Sequence, residues 1–573
     1  MLILINHLGY NLEGPKQAIF ISDQQLNAHP FWLIRAGTEE VVFQGKTIPC
    51  GQVKNWHNFQ FAKLDFTPFK KAGCYYLKIK TSAKDIVSEA FNCSEGIYLK
   101  TVEAILQYFF SQRCRGIYDE TDHNLSFFGS RRDKVDVHGG WYDASGDVSK
   151  YLTHLSYTNY MNPQQTPLVV WSLLKSLELL ANQRPNFLCS EIETRILQEA
   201  FYGANFLSRM QDPQGYFYQT IFDNWTHDPS KRQICAYATL QGIRSERYQA
   251  GFRQGGGMAI AALAKAASKS KDLGLMSQAQ SYLVKAEKGF AHLQVHNLSY
   301  LNDGQENIID DYCALMASCE LYRSTMAPHY LEASRQRAQA LASRLHSDNK
   351  VINYWRADNS GERPYFHAAE AGLPVIALLN YLELEPEQTF KLPVLEVCRA
   401  SLTCELNLTS EVNNPFGLAR QYVKPLNKPK KTSFFMPHEN ESGYWWQGEN
   451  SRLASLAAAA ELARPHFRQE KDFATCIESY SQNQLNWILG LNPFDACMLH
   501  GFGRNNVEFR SDLPNAYGGI CNGITSAIAD EDGIEFLPSY LQHELRENWR
   551  WAEQWLIHSA WFLLAICAQA ACN

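Results

Sequence analysis

The residues best suited to chemistry fall between His138 and Tyr151, in the run HGGWYDASGDVSKY. Asp143 and Asp147 stand four positions apart in it, with Trp141 and Tyr142 just ahead. Ionised carboxylates are seldom buried without partners, so a core has little use for this pair. A hydrolase does, because a carboxylate orients a water and takes its proton. Gly139, Gly140 and Gly146 let the chain turn tightly and pass close to a ligand. Trp141 and Tyr142 offer flat apolar faces of the kind on which sugar rings stack. The same composition also suits a plain surface turn, which favours Gly and Asp for local reasons.

Something must hold such a loop in place. Residues 1–93 carry seven short alternating runs (ILINHLG, QAIFIS, FWLIRAG, EVVFQG, FQFAKLDF, YYLKIKT and SEAFN) separated by turn-forming clusters. That density predicts an immunoglobulin-like β-sandwich with a structural role. From residue 94 onward the period becomes helical. Helices are expected near 98–112, 167–182, 193–210, 257–270, 276–293, 308–324, 329–346, 368–383, 390–404, 450–465, 470–489 and 548–571. Twelve helices after a sandwich suggest six hairpins closed into an (α/α)6 barrel. An α-solenoid would need a fixed-period repeat, and none is seen. The stretch 113–165, which holds the two aspartates, is long for a connection without a function.

Other predicted connections, such as 222–228, 353–367, 434–450 and 499–506, are rich in Trp, Tyr, His, Asn, Glu and Arg. Ordinary connectors are small and polar. Aromatic faces beside hydrogen-bonding groups are what a carbohydrate cleft needs, since sugars present apolar CH faces and polar rims.

Composition excludes several classes. The net charge is −6 over 573 residues, with no block of like charge, so no nucleic-acid or anionic-membrane partner is expected. No apolar run approaches the ~20 residues of a membrane span. The start, MLILINHLGY, reads as a strand and not as a signal peptide. The fifteen cysteines are scattered, with no CxxC pair, which fits a reducing cytoplasm. HExxH and EF-hand patterns are absent, so no metal and no cofactor is expected.

GGWYDASGD resembles the GGWxDAGD segment of glycoside hydrolase family 9, the inverting β-1,4-glycanases often called cellulases. INHLGYNLEGPKQAIF and LDFTPFKKAGCYYLKI resemble that family's N-terminal immunoglobulin-like domain. YQAGFRQGGGMAIAALAKAA, DDYCALMASCELY, YFHAAEAGLPVIAL, NESGYWWQGENSRLASLAAAA and NWILGLNPF resemble its barrel helices. The resemblance implies an (α/α)6 barrel and an oligosaccharide substrate. It makes Asp147 the base that activates water and Asp143 the residue that helps hold it. The extra residue in DASGD leaves Asp143 as the alternative base. The family's acid is a glutamate in a segment to which EQWLIHSAW corresponds, which points to Glu553, with Glu544 and Glu547 as competitors. Trp549, Trp551, Trp555 and His558 crowd around Glu553 in sequence, surroundings that raise a carboxylic acid's pKa by desolvation. An exposed helix glutamate is the plainer reading.

The chain also departs from the family. GFGRNNVEF lacks the paired histidines that usually follow GFG, so Arg504 and Asn505 are candidates to replace them. The variant DASGD with EQWLIHSAW resembles a branch acting on glucosamine-containing oligosaccharides, the exo-β-glucosaminidases. Asp143, Glu441, Glu449 or Asp495 would then pair with the substrate's ammonium group, though Glu441 and Glu449 also suit helix capping. His138, His438, Trp445, Trp446 and His558 complete the sugar-binding candidates. A cello-oligosaccharide hydrolase is the neutral-sugar alternative. A sugar phosphorylase would use Gly255, Gly256 and Gly257 beside Arg253 to hold phosphate, but close helix packing is the better explanation of those glycines. A non-catalytic sugar-binding protein would have no need of both an acid and a base.

Overall fold

The computed structural model of the chain describes residues 1–81, 84–183, 190–510, 514–541 and 547–572. Nine strands come first: β1 Leu2–Leu4, β2 Gln17–Ser22, β3 Pro30–Arg35, β4 Val41–Lys46, β5 Ile48–Gly51, β6 Gln60–Asp65, β7 Gly73–Lys80, β8 Asp85–Val87 and β9 Phe91–Cys93. They form two antiparallel sheets, β1-β2-β6-β5 and β4-β3-β7-β8, with β9 also along β7. Alternate side chains turn inward. Tyr75, Leu77 and Ile79 of β7 share one core with Phe20, Leu33 and Leu64. All seven alternating runs become strands. β5 and β8 escape the pattern because they are short edge strands with mostly exposed side chains, and alternation needs a buried face.

Twelve longer helices follow: α1 Val102–Ser111, α2 Thr166–Gln183, α3 Ser190–Arg209, α4 Gly257–Asp272, α5 Met276–Tyr300, α6 Ile308–Thr325, α7 Pro328–Ala342, α8 Leu373–Leu382, α9 Gln388–Ser410, α10 Asn450–Ala463, α11 Lys471–Ile488 and α12 Leu556–Cys572. The even-numbered helices touch in the order α2, α4, α6, α8, α10, α12 and back to α2, a closed ring. α3, α5, α7, α9 and α11 each pack outside the helix before them, and α1 packs against α12 and α3. The fold is therefore a β-sandwich followed by an (α/α)6 barrel.

The ring closes because its helices are buried on nearly every side and small where they cross. Every residue of α6 from Ile308 to Leu321 is buried. A Cβ at Gly257 of α4 would lie 2.8 Å from the Cys313 Cβ on α6. The helix expected over 548–571 is broken. Trp549–Ala552 forms one turn, Glu553 is extended (φ −64°, ψ 133°), and α12 begins at Leu556. Five of the six ring helices are entered through the long connections 112–165, 210–256, 343–372, 411–449 and 489–555. The exits 273–275, 326–327 and 383–387 are short, so the long loops gather over the N-terminal ends of the ring. No helix among the described residues is long and apolar enough to cross a membrane.

The sandwich is clamped to the barrel through Trp56. Its ring is fully buried against Phe416, Phe434 and Trp487, and its Nε1 donates to the Asp532 carbonyl at 2.9 Å. Trp56→Ala is expected to cost ~3–5 kcal/mol, read as a lower urea midpoint followed by circular dichroism.

Candidate active site

Asp143 and Asp147 lie on the loop between α1 and the short strand Lys150–Tyr151. The loop turns through Gly139, Gly140 and Gly146, all with φ between 75° and 81°. A Cβ at Gly140 would meet the Phe206 ring at 2.7 Å, so this turn requires glycine. Buried charge braces it from behind. Asp122 accepts from Arg232 at 2.8 and 2.9 Å and pairs with Lys150 at 2.7 Å. Lys150 Nζ also donates to the carbonyls of Val137 and Gly139, at 3.0 and 2.6 Å.

The loop meets a segment some four hundred residues later. Leu556 N donates to the Asp143 carbonyl at 3.0 Å, and Ser145 N donates to the Gln554 carbonyl at 2.9 Å. Ala144 and Trp555 thus form an antiparallel bridge. Ser145 Oγ also accepts from Gln554 N at 3.1 Å. This pairing brings Asp143, Asp147 and Glu553 into one cleft of about 500 Å³. Trp225, Tyr237, Tyr444, Trp445, Trp549 and Trp555 supply its aromatic walls.

Arg510 and Arg550 also line the cleft, and burial dominates all three carboxyls. Burial, then the charges of Asp147 and Glu553, holds Asp143 well above the usual carboxylate range. Neither Asp143 oxygen has a hydrogen-bond partner. Asp147 accepts from Ser149 N at 2.8 Å and from the Tyr151 hydroxyl at 3.3 Å. Burial outweighs these bonds, and with help from Asp223 raises Asp147 too. Burial pushes Glu553 up to about 8 despite the Trp555 Nε1 hydrogen bond at 2.6 Å, and the Asp147 charge adds to the rise. A carboxyl raised to about 8 thus shares the cleft with one that accepts two hydrogen bonds, an arrangement suited to acid–base work.

Of the other expected sugar-binding residues, only Trp445 lines the cleft. Trp141 is a core residue whose Nε1 donates to Glu199 at 3.2 Å. Tyr142 packs edge-on to Tyr118 and bonds Arg115. His138 bonds Asp136 at 2.6 Å and stacks on His123 at 3.9 Å. These last three bring possible metal-ligand atoms within 4.8 Å, but the imidazoles lie face to face and do not converge on a point. His438 bonds Ser526 at 2.7 Å, and Trp446 Nε1 donates to the Ser526 carbonyl at the same distance.

Glu441 forms a paired contact with Arg363, whose guanidinium outweighs burial and keeps the carboxylate low. Glu449 accepts from Arg452, Gln421 and Met436 N, and its side chain makes no capping bond to the helix that follows. Arg504 grips Asp495 at 2.6 and 2.7 Å, and Asp495 also bonds His7 of the sandwich. Asn505 donates to the Asp495 carbonyl. This group joins the domains and does not face the cleft. His558 is buried behind Trp555 and pushed down to about 3 by desolvation. Arg253 is spent on Asp303, Asp310 and Asn159, and the neighbouring glycines serve helix packing, so no phosphate cradle forms there. Glu544 lies outside the described residues, and Glu547 pairs with Arg550.

The single-residue readings missed His154, Tyr237 and Tyr444. Trp225, on the 222–228 loop, was signalled by that loop's composition. Tyr237 carried no comparable signal, because it lies in a plain strand, Gln233–Tyr237.

A closed helical ring with three carboxyls over its N-terminal ends, in an aromatic cleft, is an arrangement that suits a glycoside hydrolase. The model of Glycosyl hydrolase family 9 matches residues 98–511, that of the Cellulase N-terminal ig-like domain matches residues 2–84, and the chain belongs to glycosyl hydrolase family 9. Among solved structures, a metagenome-derived glycoside hydrolase family 9 endoglucanase is similar at TM-score 0.69 and 17% identity, covering 100% of this chain and 99% of that one. A Bacteroides ovatus family 9 protein reaches TM-score 0.66 at 17% identity, over 99% and 98%. The endoglucanase of the termite Nasutitermes takasagoensis reaches 0.52 at 13%, over 83% and 98%. No curated protein matches the chain. Glu553 lies beyond residues 98–511, so its place in the site rests on geometry.

Between the ordinary glutamate value of 4.5 and about 8, the folded chain holds the Glu553 proton and the unfolded chain does not. Stability is therefore present at low pH and falls, by on the order of a few kcal/mol, as pH rises through that window. Glu553→Gln is expected to flatten this slope in urea titrations between pH 5 and pH 9. Trp555→Phe, which removes a donor to the carboxylate, is expected to move the Glu553 titration to higher pH, read by carbon NMR of the labelled side chain.

Proposed function

We propose that this protein hydrolyses β-1,4-linked gluco-oligosaccharides with inversion at the anomeric carbon. The observation that carries the reading is the meeting of Asp143, Asp147 and Glu553 in one aromatic cleft, with Glu553 still protonated near neutral pH. Glu553 gives its proton to the glycosidic oxygen. Asp147 takes a proton from a water attacking the opposite face of the sugar, and Asp143 holds that water. Inverting enzymes keep the two carboxyls ~6.5–9.5 Å apart to leave room for it. The structural likeness to endoglucanases supports a neutral glucan substrate.

A second reading is favoured by one observation. Asp143 is 1% exposed and neither of its oxygens is bonded, the setting in which a substrate ammonium group would replace a missing partner. Chitosan-type oligosaccharides attacked from one end would supply that cation.

Matched cello-oligomers and chitosan oligomers, followed by chain length over time, separate the readings. Glucose or cellobiose released from cello-oligomers alone supports the first, and single glucosamine units released from chitosan oligomers alone support the second. Asp147→Asn and Glu553→Gln are each expected to lower kcat at least ~10²–10⁴-fold while folding normally. Near-wild-type activity in either overturns the assignment. The rate is expected to fall on the alkaline side near pH 8 as Glu553 ionises, and on the acid side above the usual aspartate range as Asp147 and Asp143 are protonated. Proton NMR of the first product reads the anomer, and retained configuration refutes inversion.

A further inference from the structure

His154 follows the strand Lys150–Tyr151 and points into the cleft. Its ring is wedged among Tyr151, Trp555 and Tyr237, at centroid distances of 4.7, 5.1 and 5.8 Å. The backbone on both sides is fixed. His154 N donates to the Pro163 carbonyl at 3.2 Å, and Leu155 N donates to the Tyr237 hydroxyl at 3.0 Å. Nδ1 stands 3.5 Å from Asp143 Oδ2, and neither that nitrogen nor either Asp143 oxygen has a hydrogen-bond partner. Buried polar atoms left unmated cost free energy, and native folds rarely tolerate them without a reason. Three such atoms facing one another on the floor of a cleft mark a contact made in the reacting complex.

We propose that His154 is a positioning residue for hydrolysis, donating from Nδ1 to Asp143 Oδ2 so that Oδ1 faces the attacking water. This rests on the hydrolytic reading above. Burial keeps the imidazole neutral, pushed down to about 3, so one ring nitrogen carries hydrogen and the other does not. The ring neither gains nor loses a proton in the step. The water's proton passes to Asp147, and the Glu553 proton passes to the leaving oxygen. The titratable groups facing the pair are Asp147, Glu553, Tyr108, Tyr151 and Tyr237, and Arg510 and Arg550 line the same cleft.

The test compares His154→Phe, His154→Asn and His154→Gln in the full chain, on whichever oligosaccharide the wild type cleaves. Phe keeps the packing and removes the donor. Asn restores an N–H near the Nδ1 position, whereas Gln reaches toward Nε2. His154→Phe is expected to lower kcat 10- to 100-fold with KM changed less than threefold. Its acid limb is expected to move to higher pH, because the Asp143 carboxylate loses a donor that favours its charged form. Asn is expected to recover about tenfold in kcat over Phe, and Gln less. His154→Phe combined with Asp143→Asn is expected to be no slower than Asp143→Asn alone.

A kcat for Phe within twofold of wild type overturns the proposal. So does a fall that Asn does not rescue better than Gln, with no shift of the acid limb, which is the pattern of a packing role. If Phe fails to fold, the Asn-to-Gln ratio decides the matter alone. A wild type inactive on every β-1,4-oligosaccharide overturns the hydrolytic reading and this inference with it. Inactive Glu553→Gln beside a normal His154→Phe overturns this inference only.

Discussion

Two backbone hydrogen bonds, Leu556 N to the Asp143 carbonyl and Ser145 N to the Gln554 carbonyl, tie the loop of Asp143 and Asp147 to the last helix. α12 is also the helix that completes the ring by packing between α10 and α2. Ring closure and assembly of the three-carboxyl site are therefore one event. Until the C-terminal helix docks, Asp147 and Glu553 belong to unconnected parts of the chain. The extra serine of DASGD strengthens this seam, since Ser145 uses its hydroxyl as well as its amide on Gln554.

The electrostatics follow from where the cations go. Lys150 lies three residues from Asp147 in sequence, and its charge would depress a neighbouring carboxyl. It is instead spent behind the loop on Asp122, with Arg232 on the same carboxylate. Arg363 is spent on Glu441, Arg504 on Asp495 and Arg452 on Glu449. Asp143, Asp147 and Glu553 are left to burial and to each other, and all three move upward. Burial, with these cations spent elsewhere, raises the three carboxyls above the range in which they would ionise in water, even with Arg510 and Arg550 along the cleft.

Much of this was legible in the sequence, for physical reasons. Strand alternation and helix periodicity both depend on one face being buried, and they located the sandwich and the twelve helices. They failed at β5 and β8, where little is buried, and at Glu553, where apolar residues on both sides disguised a break as one helix. The carboxylates could be singled out because ionisable groups beside glycines make poor core. The aromatic and basic candidates were harder. Trp141, Trp446 and Arg504 have the right chemistry for sugars, but a tryptophan in a core and an arginine at a domain seam look the same in sequence as those in a cleft. His154 drew no attention because its meaning lies in what its Nδ1 faces, which spacing does not encode.

The long connections all enter the ring and the short ones leave it. Chain length is thereby distributed unevenly between two jobs. The ring is built from Ala, Gly and apolar residues whose crossings leave no spare volume, so its sequence is narrowly constrained. The entry loops meet few such limits away from the glycine turn and the seam. Substitutions and even insertions there would reshape the cleft while the barrel keeps its stability. Selection for a new sugar can thus act on one set of segments and selection for a durable fold on another, with little conflict between them.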